Sequence, residues 1–219
     1  MHTSLKKVKK AKSVDKDDEP LHVGFLRNEN ERVNFGGNYD YMSRAYFISQ
    51  DYENREERIK PTCKEMLDAY VPPLFLKKAI LADIPIPPYY ISNGFFEPPA
   101  IIDPINPFTL KGRVVFKPGR VKSITKSLTR NFTYAICCQE IPEKSRVVYF
   151  RSVLGWSIQI KYRDISKIVW DVFNIPLAKI RVIQLESGEM LLSDISPLFL
   201  EDLKKREKQY LEDRVIWDN

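Results

Sequence analysis

A chain of 219 residues, 43% hydrophobic and 12% aromatic, carries enough apolar material for one sizeable core or two small lobes, which excludes a disordered polymer. Its net charge of +6, from 35 basic and 29 acidic residues, is moderate, so where the charges lie matters more than their sum. Cys137 and Cys138 are adjacent and Cys63 is remote, which gives neither an even disulfide set nor a CxxC pair, and with only His2 and His22 available any bound metal has to use oxygen ligands.

In chain order, residues 1–20 form a charged tail in which "KKVKKAK" precedes "DKDDE", and residues 21–61 form a short N-terminal αβ element. "LHVGFL" and "ERVNFGG" read as strands and "YDYMSRAYFISQDYE" as a helix. "TCKEMLDAY" follows with Thr62 and Glu65 in capping-box spacing, and should end before Pro72 and Pro73. "PLFLKKAILAD" continues at helical spacing, then breaks into a proline-punctuated connector reaching Pro107. "RVVFKP" and "TYAICCQEI" read as strands joined by a basic loop, and "RVVYFRSVLGWSIQIKY" as a hairpin turning near Gly155. "DISKIVWDVFNI" has one apolar stripe and is the clearest helix. Strands "AKIRVIQL" and "EMLLSDI" flank the turn at Gly188, and "PLFLEDLKKREKQYLEDRVIW" reads as a charged closing helix.

The longest apolar runs are far too short to span a bilayer, and the tail has no apolar segment of signal-peptide type, so a cytoplasmic protein is expected. From Pro104 to Gln139 there is no Asp or Glu, while Lys111, Arg113, Lys117, Arg120, Lys122, Lys126 and Arg130 lie within it. Such a segment reads as an anion-facing surface, for a phosphate-bearing ligand or a protein partner. With few aromatics among its charges, only weak, non-specific nucleic-acid binding is expected.

The order "ADIPIPPYY", "VVFKP", "CCQEIPEKSRVVYF", "FNIPLAKIRVI" and "GEMLLSDISP" resembles the ATP-grasp superfamily, nearest to the RimK and glutathione-synthetase-like ligases, over roughly Thr62 to Leu198. The resemblance implies an α/β (α+β) fold, compact and ATP-grasp-like, with mixed or antiparallel sheets and flanking helices, residues 62–219 making two small lobes. It implies an ATP-dependent carboxylate–amine ligase working through an acyl phosphate, with ATP and Mg²⁺ as cofactors. On this likeness Lys117, helped by Lys122 and Lys126, reaches the phosphates, and Gln139, Glu140 and Ile141 form the adenine-gripping hinge. Arg146 and Arg151 contact the transferred phosphate or the substrate carboxylate. Asp194 and Ser196, with Glu186 as the nearest further carboxylate, supply the metal's oxygen ligands.

The sequence departs from the pattern in three places. Arg181 falls where the superfamily places an acidic residue, Ser196 stands in place of asparagine, and the stretch after Lys117 has only Gly119 in place of a glycine-rich cover. A second resemblance joins "NYDYMSRAYFIS", "ISKIVWDVFNIPLAKIRVI" and "DISPLFLEDL" to a non-catalytic domain that some RimK-like ligases carry ahead of their ATP-grasp unit. That likeness implies an accessory module, binding a nucleotide, an anion or an acidic partner.

Overall fold

The computed structural model describes residues 22–27, 30–106 and 112–218. The charged tail and Lys111 lie outside the described residues. Strands β1 (Val23–Leu26), β2 (Arg32–Asn34) and β3 (Ile59–Lys60) bracket helix α1 (Arg44–Asn54), whose Ser43 cap accepts the Tyr46 N–H. Helix α2 (Cys63–Tyr70) starts on the full capping box of Thr62 and Glu65, and α3 (Pro72–Leu81) begins at Pro72, where a missing N–H costs nothing.

The expected connector contains two strands, β4 (Tyr89–Ser92) and β5 (Ala100–Pro104). With β6 (Arg113–Val115) and β7 (Ile136–Glu140) they form an antiparallel sheet in the order β4-β7-β5-β6, so the prolines punctuate strand ends and not a surface crossing. The basic segment is also not a loop: α4 (Val121–Leu128) buries Val121, Ile124, Thr125 and Leu128, a helical stripe hidden among lysines and hydroxyls, against this sheet. After it, Arg130, Asn131 and Phe132 all take left-handed φ, at 48°, 60° and 66°. Each such non-glycine residue costs about 1 kcal/mol. Buried Thr129 holds the turn, accepting the Phe132 N–H at 2.7 Å and donating to the Thr125 carbonyl at 2.7 Å.

The central sheet pairs β8 (Arg146–Val153), β9 (Leu177–Gln184) and β10 (Met190–Pro197) antiparallel, with Gly188 at φ 91° in the turn between the last two. Only the first half of the expected hairpin is strand; its second half runs through a 3-10 turn, Ile160–Tyr162, into α5 (Arg163–Phe173). The closing helix is shorter than its charge pattern implied: α6 covers Lys205–Glu212, and β11 (Val215–Trp217) returns to pair with β1. The main core lies between one face of the central sheet, through Phe150, Ile180, Val182, Leu192 and Ile195, and helices α2, α3 and α5. Its other face meets the β4–β7 sheet, and the site forms there.

Candidate functional site

On the face of the central sheet turned toward β5 and β7, cross-strand neighbours form successive rows. Val147, Ile183 and Leu191 come first, then Tyr149, Arg181 and Asp194, then Arg151, Lys179 and Ser196. The first row is apolar and packs with Ile101 and Ile141 of the facing sheet. The second row puts charge where the two sheets close, and buried charge has to be paired.

Pairing comes from β5. The guanidinium of Arg181, only 5% exposed, meets the Asp103 carboxylate in bidentate fashion, Nη2 at 2.6 Å and Nη1 at 3.1 Å. A bulge in β10 completes the shell. Register shifts between Leu192 and Asp194, leaving Ser193 without a ladder partner and turned into the interface. Its hydroxyl accepts from Arg181 Nε at 2.9 Å and donates to Gln139 Oε1 at 2.8 Å, while Gln139 Nε2 donates to Asp103 at 2.8 Å and to the Ser193 carbonyl at 3.0 Å. Gly112 makes the carboxylate's seat possible, because a Cβ there would collide with Asp103 Oδ1 and the Ile102 carbonyl. Arg181 therefore keeps its proton, its basicity raised by Asp103 and Asp194 against the opposing effect of burial.

Beside this network lies a cleft of about 290 Å³, walled by Tyr41 and Tyr70 on one side and by Tyr149, Arg181 and Asp194 on the other. Asp194 sits 3.9 Å from Arg181 Nη1. Burial pushes its carboxyl up to about 7; Arg181 pulls the other way, and Asp103 and Asp40 add to the rise. Tyr70, at the end of α2, contributes a buried hydroxyl with no hydrogen-bond partner. Burial, Tyr39 and the Asp40 and Asp194 charges hold that phenol well above its ordinary value, so it stays protonated.

The residues expected to form the site are dispersed. Gln139, Asp194 and Ser196 gather at the cleft and network, though the Ser196 hydroxyl donates to the Lys179 carbonyl at 3.0 Å. Glu140 and Ile141 line a separate groove of about 480 Å³ with Tyr90, Phe95 and Glu97. Lys117 is exposed before the turn into α4, and Lys122 and Lys126 lie on that helix's outer face. Arg146 holds Gln184 at the far end of the sheet, near Glu186, which is 3.8 Å from Lys144. Arg151 donates to the Asp202 carbonyl at 2.7 Å and to buried Glu207 at 3.2 Å, tying α6 to the sheet. Asp103, Ser193, Tyr70 and Asp40 are the site residues not found from sequence. The signal for one pair was there: "IIDP" and "IRVI" each set one charge in an apolar strand, and the two charges are opposite.

Magnesium finds no ready set of unshared carboxylates among the described side chains, and the backbone donors expected to grip adenine are engaged within the protein. A divalent ion needs several unshared oxygen ligands. Here Asp103 is held by Arg181, Glu186 is at the distant turn, and no group of three potential ligands exists among the described residues. At the hinge, the Glu140 N–H donates to the Pro88 carbonyl and the Ile141 N–H to the Pro99 carbonyl, so neither is available to adenine. The groove beside them presents Glu97 and Glu140, the wrong sign for phosphates.

Among the described residues, six α-helices and three sheets, two antiparallel and one mixed through the parallel β2–β3 pair, form an ATP-grasp-like fold. Similar solved structures include D-alanine-D-alanine ligase from Helicobacter pylori, with TM-score 0.59 and 15% identity, covering 92% of this chain and 80% of that one. The RimK domain protein ATP-grasp from Sphaerobacter thermophilus DSM 20745 has TM-score 0.54 and 11% identity, covering 81% and 74%. D-alanine-D-alanine ligase from Coxiella burnetii has TM-score 0.50 and 8% identity, covering 69% and 54%. No family profile and no curated protein matches the chain by sequence. No helix among the described residues is long and apolar enough to cross a membrane.

Proposed function

We propose that this chain is a non-catalytic ATP-grasp-like binding protein, an accessory module in place of an ATP-dependent carboxylate–amine ligase. The observation that carries this reading is the bidentate Arg181–Asp103 pair, buried at the sheet interface where a ligase of this fold would need unshared carboxylates for a metal. A guanidinium fixed there repels Mg²⁺, and moving it aside would leave Asp103 buried without its partner. The basic outer face of α4, with Lys122 and Lys126, is the surface for an anion or acidic partner.

The test is thermal unfolding with millimolar ATP and Mg²⁺, beside an assay for ADP release with mixed carboxylates and amines. The expected result is no ADP and no stabilisation beyond that given by magnesium sulfate at equal ionic strength, because a ligand that binds the native state must raise its melting temperature. Saturable Mg-ATP stabilisation with ADP release returns the chain to the ligase reading, with Lys117, Arg146 and Asp194 as residues to substitute next.

A further inference from the structure

A third cavity, of about 310 Å³, lies where β1 meets α5 and the end of α6. Leu26, Leu154 and Trp170 give it an apolar wall, and the exposed Arg27 and Arg214 charge it. Those two arginines are cross-strand neighbours: the β1–β11 ladder runs to Leu26 and Val215, and one step on the Arg27 N–H donates to the Arg214 carbonyl at 2.9 Å. Like charges placed opposite each other in a ladder are destabilising. Among the described residues neither guanidinium forms an ion pair; Arg27 reaches the Glu212 carbonyl at 3.5 Å and Arg214 the Tyr210 carbonyl at 3.3 Å. Asp213, the carboxylate lining the cavity, accepts the Gln209 amide at 2.9 Å. Two guanidiniums against one carboxylate leave the lining with one positive charge in excess. Arg214 is also held in shape, its guanidinium 3.6 Å from the centroid of the Tyr210 ring, which stacks on Trp156 at 4.5 Å. A guanidinium already laid on a ring loses little freedom when it takes up an anion.

We propose that this cavity binds a small organic carboxylate, its oxygens bridging the Arg27 and Arg214 guanidiniums and its apolar body lying against Leu26, Leu154 and Trp170. A monoanion cancels the excess charge, and the fork of a guanidinium matches the two oxygens of a carboxylate. A cation would add a third positive charge to a pair that already repels. The volume is at the lower edge of ligand pockets, which sets the size at about ten heavy atoms or fewer. The inference goes beyond the non-catalytic reading and does not depend on it, since this cavity and the cleft at Asp194 share no lining residue.

The experiment is a titration of sodium benzoate into the full chain at constant ionic strength, followed by amide chemical shifts, with benzamide, sodium acetate and inorganic phosphate as comparisons. Expected are saturable shifts around Arg27, Trp170 and Arg214. Benzamide, which lacks the charge, and acetate, which lacks the apolar body, should each bind about tenfold more weakly or less, and phosphate no more tightly than acetate. Arg27→Gln and Arg214→Gln should each weaken benzoate by about tenfold or more. Arg27→Glu sets a carboxylate of the chain opposite Arg214 in the ligand's place, so its melting temperature should rise while benzoate binding is lost. Absence of saturable shifts in the wild type, or unchanged affinity in both glutamine variants, overturns the site. Benzamide binding as tightly as benzoate overturns the role given to the guanidiniums, and phosphate binding more tightly than benzoate overturns the assignment to a carboxylate. A lower melting temperature for Arg27→Glu overturns the claim that the two arginines lack a counter-charge.

Discussion

Arg181 of β9 and Asp103 of β5 join two different sheets, guanidinium against carboxylate at 2.6 and 3.1 Å, each side chain no more than 7% exposed. Neither strand would accept its charge alone. Asp103→Asn should therefore lower stability by about 3–5 kcal/mol, because it strips a buried guanidinium of its counter-charge. The double variant Asp103→Leu with Arg181→Met should lose much less. Urea unfolding of the wild type, Asp103→Leu, Arg181→Met and the double variant measures the coupling, and simple additivity would show that the pair is not a unit.

Asp194 gives stability a pH dependence of unusual sign. In the unfolded chain an aspartate titrates at about 3.9. In the folded protein burial pushes it up to about 7, so between these values the folded state holds the proton more tightly. Its contribution is greatest at the acidic end of that window and is lost as pH rises through about 7. Asp194→Asn, uncharged throughout, should be more stable than wild type at pH 8 by about 3–4 kcal/mol, with the difference shrinking to about 1 kcal/mol toward pH 4.5. Melting curves collected at both pH values test this, and a constant difference would contradict it.

Arg151 anchors α6 through Glu207, which is 4% exposed, and through the Asp202 carbonyl. Arg151→Ala should cost about 2–4 kcal/mol by leaving a buried carboxylate with less compensation. The accompanying loss of hydrogen-exchange protection should concentrate in α6 and β11. Loss spread evenly over the whole fold would contradict an anchoring role.

On the outer face of α4, Lys122→Ala with Lys126→Ala should leave the melting temperature unchanged or slightly raised, since neither side chain is in the apolar stripe and their mutual repulsion is relieved. Retention on a heparin column should fall in the double variant. It should fall in the wild type too as salt is raised, because the attraction is a screened surface effect. Equal retention of both proteins at low salt would remove α4 as the anion-facing surface.

Much of the frame was legible because its causes are local. Thr62 and Glu65 announced α2 by a capping box whose donors and acceptors are three residues apart, and the stripe of Ile165, Val169 and Phe173 announced α5. The α4 helix escaped notice because its buried face includes Thr125, whose hydroxyl bonds the Val121 carbonyl inside the helix, so a polar letter stood in a core position. Strands β4 and β5 escaped because their prolines sit at the margins, where no ladder donor is needed.

Sequence by itself determined the start of α2, the stripe of α5, the acid-free basic segment and the departure at Arg181, since each is a property of neighbours along the chain. Which charges meet was decided only in three dimensions. Asp103 and Arg181 are 78 residues apart, and Gln139 lies 54 residues from the Ser193 it bonds. A β-bulge of one residue, invisible in composition or periodicity, turns Ser193 into that interface. Hydrogen bonds act over about 3 Å, so their partners are chosen by how sheets pack and not by spacing in the chain. The same packing that neutralised Asp103 left Asp194 in the wall of a cleft.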